Sequence, residues 1–173
     1  AERGTPAARP SAASRPMSKT PVLDTFCTDL AAASSPPLVG REAVLERVLA
    51  VLHRHRHRNV ALVGPPGVGK TAIVEELARR MAAGDRVGRY AGHRLLTLDV
   101  ALLVAGTKYR GQLEERARRL LTALRGARNV VVHVEDARLL ATSGFSTESM
   151  KVAEALAPLV RGEAGAMILT VTP

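Results

Sequence analysis

The chain has 173 residues, 46% of them apolar, which is enough for one compact domain with a real core and too few for two. Only 2% are aromatic, which argues against the base-stacking platforms that single-strand nucleic-acid binders need and leaves a core of Leu, Val, Ala and Ile. A net charge of +9 invites phosphate partners, although an Arg- and Ala-rich composition with little Lys also follows from biased codon usage.

Cys27 is the sole cysteine, so no internal disulfide can form. No apolar run reaches the ~20 residues of a membrane span, and no hydrophobic signal core stands near the N-terminus. The expectation is a soluble cytoplasmic protein without membrane attachment.

Residues 1–20 are Ala, Ser, Pro and Arg with almost nothing to bury, and read as a disordered basic tail. Residues 21–173 are expected to form the folded core. Apolar residues return in PVLDTFCTDL (21–30), and Ala31–Pro37 makes a link into Leu38-Val39-Gly40-Arg41. From Glu42 to His53, Val44, Leu45, Val48, Leu49 and Leu52 recur at helical spacing. The alternating His and Arg from His53 to Arg58 would repel a metal ion through their guanidinium groups, and read as a solvated helix end where cations oppose the helix dipole.

Strands are expected at Asn59–Val63, Arg94–Asp99, Asn129–Val134 and Ala166–Val171. A helix is expected from Thr71 to about Ala83, ended by Gly84. A loop from Val104 to Gly111 leads to a second helix from Gln112 to about Leu124, with Leu113, Ala117, Leu120, Leu121 and Leu124 on its apolar face. A third spans roughly Thr147 to Val160, with Pro158 bending or ending it. Strands alternating with helices predict an α/β fold: a three-layer, parallel sheet flanked by helices on both faces.

Between the first strand and the first helix stands Gly64-Pro65-Pro66-Gly67-Val68-Gly69-Lys70-Thr71. Strand, glycine loop and helix are the context that the phosphate-loop pattern requires. The glycines let successive N–H groups point inward at a polyphosphate, and the N-terminus of the next helix adds partial positive charge there. Lys70 is placed to reach the β- and γ-phosphates of ATP, and the Thr71 hydroxyl to ligate Mg²⁺. Residues 64–72, Ala72 included, are the expected nucleotide-binding set.

Such sites also need carboxylates at the end of a buried strand, one for Mg²⁺ and one for the attacking water. The third strand ends in Glu135-Asp136, the reverse of the expected Asp-Glu order. Reversal moves each carboxylate by about one methylene, and in-line attack tolerates ~1 Å errors badly. Glu135 and Asp136 are both candidate catalytic carboxylates, Glu135 being also the candidate metal ligand, with hydrolysis left open; in the alternative Asp136 serves the metal and Ala137 takes the catalytic place. Tyr109, between Lys108 and Arg110 and just before Gly111, reads equally as a gripping residue or as a helix cap.

Together LDTFCTDL, PLVGR, GPPGVGKTAIVEELA, the LLTLD and AGTKYRGQLEER run and the RGE before the last strand resemble the first nucleotide-binding module of Clp-type AAA+ ATPases (ClpA, ClpB, ClpC) over about residues 23–172. The resemblance implies that Leu38 and Val39 line the adenine pocket. It implies that Lys108, Tyr109, Arg110 and Gly111 form a pore loop gripping an extended polypeptide in a ring of AAA+ subunits. Thr172, with Thr170 as second choice, would sense the γ-phosphate.

Three departures bear on function. The acidic pair is reversed, Pro173 follows the expected sensor, and the family's fifth strand, arginine fingers and helical lid are expected to lie outside this sequence. Arginine fingers contribute ~10³-fold or more to such reactions. Two readings follow: an ATP-binding module of a protein-unfolding machine, or a non-hydrolysing subunit with a regulatory or assembly role. A nucleic-acid-associated ATPase, motivated by charge alone, ranks last.

Overall fold

The computed structural model describes residues 21–32, 36–107, 110–141 and 152–173. The expected tail, Lys108 and Tyr109 of the expected gripping loop, and the start of the expected third helix lie outside them. Five strands form one sheet: β1 (Cys27–Asp29), β2 (Val60–Val63), β3 (Arg94–Leu98), β4 (Val130–Val134) and β5 (Ala166–Val171), in the order β1-β3-β4-β5-β2. The last four run parallel, with Leu95 opposite Val131, Val131 opposite Ala166 and Val60 opposite Ile168.

β1 corrects the expectation of a wholly parallel sheet. It runs antiparallel along β3, Thr28 opposite Thr97, and follows directly on the short helix α1 (Pro21–Phe26). Three residues are too few to show an alternating pattern. At the other edge stands β2, with β5 as its neighbour.

Successive strand residues point to opposite faces, and here both faces are covered, so β4 reads as an almost unbroken apolar run. Val60, Leu95, Val131, Ala166 and Ile168 pack against α2 (Glu42–Leu52) and α3 (Lys70–Ala83). Leu96, Leu98, Val132, Val134 and Met167 pack on the other side, against α1, α4 (Val100–Val104), α5 (Arg110–Gly126) and the C-terminal helical segments.

The expected apolar faces are the buried ones: Leu45, Val48, Leu49 and Leu52 on α2, with Val44 half-buried, and Leu113, Ala117, Leu120, Leu121 and Leu124 on α5. α3 ends at Gly84, whose φ of 72° is the left-handed cap that glycine supplies without strain. After α2 the chain from Arg54 to His57 is exposed, and His53 bonds back to the Leu49 carbonyl.

Two expected boundaries shift. The predicted loop from Val104 begins after α4, a short helix capped by the Asp99 carboxylate, which accepts the Leu102 N–H at 2.9 Å; α5 then starts two residues early, at Arg110. After the four-residue helix α6 (Arg138–Ala141), residues 152–155 are helical, Leu156 breaks the run, and α7 (Ala157–Val160) carries Pro158 in its first turn. Proline thus starts a helix here instead of ending one, because a first-turn residue needs no N–H partner.

Candidate nucleotide site

The loop from Gly64 to Gly69 leaves the carboxyl end of β2 and enters α3 at Lys70. Gly64 donates its N–H to the Val171 carbonyl at 3.2 Å, which ties the loop to the end of β5. A Cβ at Gly64 would stand 3.1 Å from Val68 Cγ1, so a larger residue there would have to push that side chain aside by a few tenths of an ångström. Gly67 and Gly69 have φ of 75° and 94°, and a Cβ on either would meet nothing within 4 Å. Their backbone borders open space.

Lys70 folds back over the loop, donating to the Gly64 carbonyl at 2.7 Å and the Pro65 carbonyl at 2.9 Å. Thr71 and Ala72 are exposed on the first turn of α3 while Ile73 and Val74 are buried. A hydroxyl, an ammonium and a helix N-terminus therefore share one solvent-facing end.

The acidic turn stands at the end of β4. Glu135 is exposed. Asp136 has a left-handed φ of 50°, and its carboxylate accepts two bonds from Arg138, from Nε and from Nη2, each at 2.8 Å. Those bonds hold its carboxyl below the usual range, with a smaller contribution from the Lys70 charge.

Thr170 on β5 secures that turn. Its hydroxyl accepts the Asp136 N–H at 3.4 Å and its carbonyl accepts the Ala137 N–H at 2.9 Å. It is 3% exposed. Thr172 is half-buried and lies beyond the last residue of β5. Against Thr170 stands His133, 1% exposed, with Nδ1 at 3.0 Å from Thr97 Oγ1 and Nε2 at 3.4 Å from Thr170 Oγ1. Burial pushes its imidazole down to about 4. Sequence reasoning passed over His133, although a single polar residue inside NVVVHV was a visible signal.

The other expected site residues are spread more widely. Leu38 is half-buried against the α2–α3 core, and Val39 is 83% exposed. Arg110 and Gly111 open α5. Two hollows along the outer side of α5, both lined by Arg118 and Thr122, do not reach the loop.

A mostly parallel sheet in which β2 runs into a loop with left-handed glycines and then into α3, with an acidic turn at the end of β4, defines a phosphate-loop NTPase fold. The family model of the AAA ATPase domain matches residues 37–162, and the chain belongs to that family, on its Clp/Hsp100 side. It is 40% identical over 150 residues to the chloroplastic chaperone protein ClpC1 of Arabidopsis thaliana, covering 84% of this chain and 16% of that protein. To the ATP-dependent Clp protease ATP-binding subunit ClpA homolog of Porphyra purpurea it is 41% identical over 158 residues, covering 88% and 19%.

Among solved structures, Hsp104 in a closed state with ATPγS and FITC casein matches with a TM-score of 0.74 at 30% identity, covering 87% of this chain and 26% of that one. The Hsp104–ADP complex of S. cerevisiae matches at 0.70 and 29%, with the same coverage. The chain spans less than a fifth of the length of these two curated relatives. Among the described residues no helix is long and apolar enough to cross a membrane.

Proposed function

We propose that this chain is the ATP-binding module of a Clp-type unfoldase, coupling ATP binding with Mg²⁺ to the remodelling of polypeptide in a ring of AAA+ subunits in the cytoplasm. The observation that carries the reading is the loop itself: its two left-handed glycines border open space, the first turn of α3 is exposed beside them, and the Lys70 ammonium is held on the Gly64 and Pro65 carbonyls. Residues 64–72 take the phosphates, and Leu38 and Val39 the adenine. The oxygens of Thr71 and Glu135 are hard donors that suit Mg²⁺. Asp136 takes the catalytic place, Thr172 or Thr170 reads the γ-phosphate, and Lys108 to Gly111 grip the polypeptide. The casein complexes of Hsp104 support a polypeptide as the client.

A second reading has its own observation. Asp136 is turned into a left-handed conformation and clasped by Arg138, which suits a subunit that binds ATP without hydrolysing it and regulates others. Binding and turnover of Mg·ATP, measured together on the wild type, Lys70→Ala and a Glu135→Asp/Asp136→Glu double variant, separate the two. Turnover by the wild type that vanishes in Lys70→Ala supports the hydrolysing module. Binding by both, with turnover only after the swap, supports the regulatory subunit. A wild type that binds no ATP overturns both.

A further inference from the structure

We propose that His133 is a positioning residue: with nucleotide bound it is the Nε2–H tautomer, which directs the Thr170 hydroxyl proton to the terminal phosphate and so separates ATP from ADP. The inference rests on the ATP-site reading above.

Thr97, His133 and Thr170 form a polar line across β3, β4 and β5, on the sheet face that α3 covers, at the carboxyl ends of the strands. That face is otherwise apolar beneath α3. A buried polar group is kept only where its hydrogen bonds are made, and the ring makes one to each threonine. A neutral imidazole has one N–H to give and one lone pair to receive, which matches one threonine on each side.

Two arrangements satisfy the distances. If Nδ1 carries the proton, it donates to Thr97, and Nε2 accepts the Thr170 hydroxyl proton, which is then used up. If Nε2 carries it, Thr97 donates to Nδ1 and Nε2–H donates to Thr170 Oγ1. That oxygen already receives the Asp136 N–H, so both its lone pairs are filled and its own proton must point to a third acceptor. Thr170 precedes Val171, whose carbonyl holds the first residue of the phosphate loop. A phosphate oxygen bound by the loop is that acceptor, and as an anion it makes the stronger bond. Only the terminal phosphate of a triphosphate extends toward the acidic turn that Thr170 secures. A diphosphate leaves the proton without a partner.

The test uses the chain labelled with ¹⁵N-histidine. The nitrogen shifts of His133, identified by their loss in His133→Gln, report the tautomer with Mg·ATPγS and with Mg·ADP. The ratio of ADP to ATPγS dissociation constants is measured on the wild type, Thr97→Val, His133→Leu and His133→Gln. The expected result is Nε2–H with ATPγS bound. The preference for ATPγS should fall by about tenfold in Thr97→Val and His133→Leu, as for a hydrogen bond to a charged group. It should be kept in His133→Gln, whose side-chain N–H₂ still donates. Thr97→Val is nearly isosteric and carries the test if His133→Leu does not fold. An Nδ1–H ring with ATPγS bound, or an unchanged preference in Thr97→Val, overturns the role of His133 while leaving the ATP site standing. Failure of the wild type to bind either nucleotide overturns the site and this inference with it.

Discussion

Asp136 and Arg138, two residues apart, are joined at both carboxylate oxygens: Nε lies 2.8 Å from one and Nη2 2.8 Å from the other. A cation thus occupies both oxygens of the carboxylate in the acidic turn.

Removing that cation should be felt at the site and hardly at all by the fold. Both partners are substantially exposed, and exposed pairs contribute little to stability. Arg138→Ala is expected to leave the urea midpoint nearly unchanged and to tighten Mg·ATP binding about threefold by freeing the carboxylate. Calorimetric titration of ATP at several Mg²⁺ concentrations checks this. An unchanged Mg²⁺ dependence would show that the fork does not compete with the metal.

Gly69 and Lys70 are neighbours whose substitutions should differ in kind. Gly69 caps α3 at φ 94°, where any other residue is strained by about 1–3 kcal/mol. Gly69→Ala should therefore lower both thermal stability and nucleotide affinity. Among the described residues Lys70 bonds to loop carbonyls alone, so Lys70→Ala should leave the melting temperature within a few degrees while ATP affinity falls by roughly a hundredfold, as expected on losing a charge-assisted contact.

Acid should weaken the fold through His133. Its folded value, about 4, lies below the ordinary 6.5, so between those values the unfolded chain binds a proton that the folded chain refuses. Stability from this group is complete above pH 6.5 and is lost as the pH falls toward 4, by about 2 kcal/mol at pH 5. Urea denaturation at pH 7 and pH 5 measures the loss. His133→Leu should flatten that part of the profile, and an equal slope in the variant would place the effect elsewhere.

Asn59, just before β2, fastens that edge to the end of α7 and to β5. Its Nδ2 donates to the Leu159 and Val160 carbonyls at 3.2 and 2.6 Å, and its Oδ1 accepts the Met167 N–H at 3.0 Å. Asn59→Leu takes this partner from the Val160 carbonyl and the Met167 N–H, while the Leu159 carbonyl keeps the Gly162 N–H, and should cost about 1–3 kcal/mol. Chemical denaturation is the measurement; a change within about 0.5 kcal/mol, the usual size for surface substitutions, would mean that water replaces the amide.

Much of this was legible in one dimension. The apolar spacing of Leu45 to Leu52 and of Leu113 to Leu124 marked helices because a helix brings every third or fourth residue to one face. Gly84 marked the end of α3 for its left-handed cap. What escaped was short or remote. β1 has three residues and no pattern, and its place depends on β3, which lies 65 residues or more along the chain. Pro158 carries the same local signal whether it starts a helix or stops one, and the packing of Leu156 and Leu159 into the core decided the matter.

The same division runs through the site. The phosphate loop is a contiguous stretch whose geometry follows from the dihedral freedom of its glycines and the helix after it, so the sequence by itself determined the loop. Which groups stand beside it was decided by strand order. The parallel register of β3, β4 and β5 brings Thr97, His133 and Thr170 into one line and sets Thr170 under Asp136. Those residues are separated by more than thirty positions, and no local preference encodes their meeting. Only the burial of both sheet faces, which pins the register of every strand, brings them together.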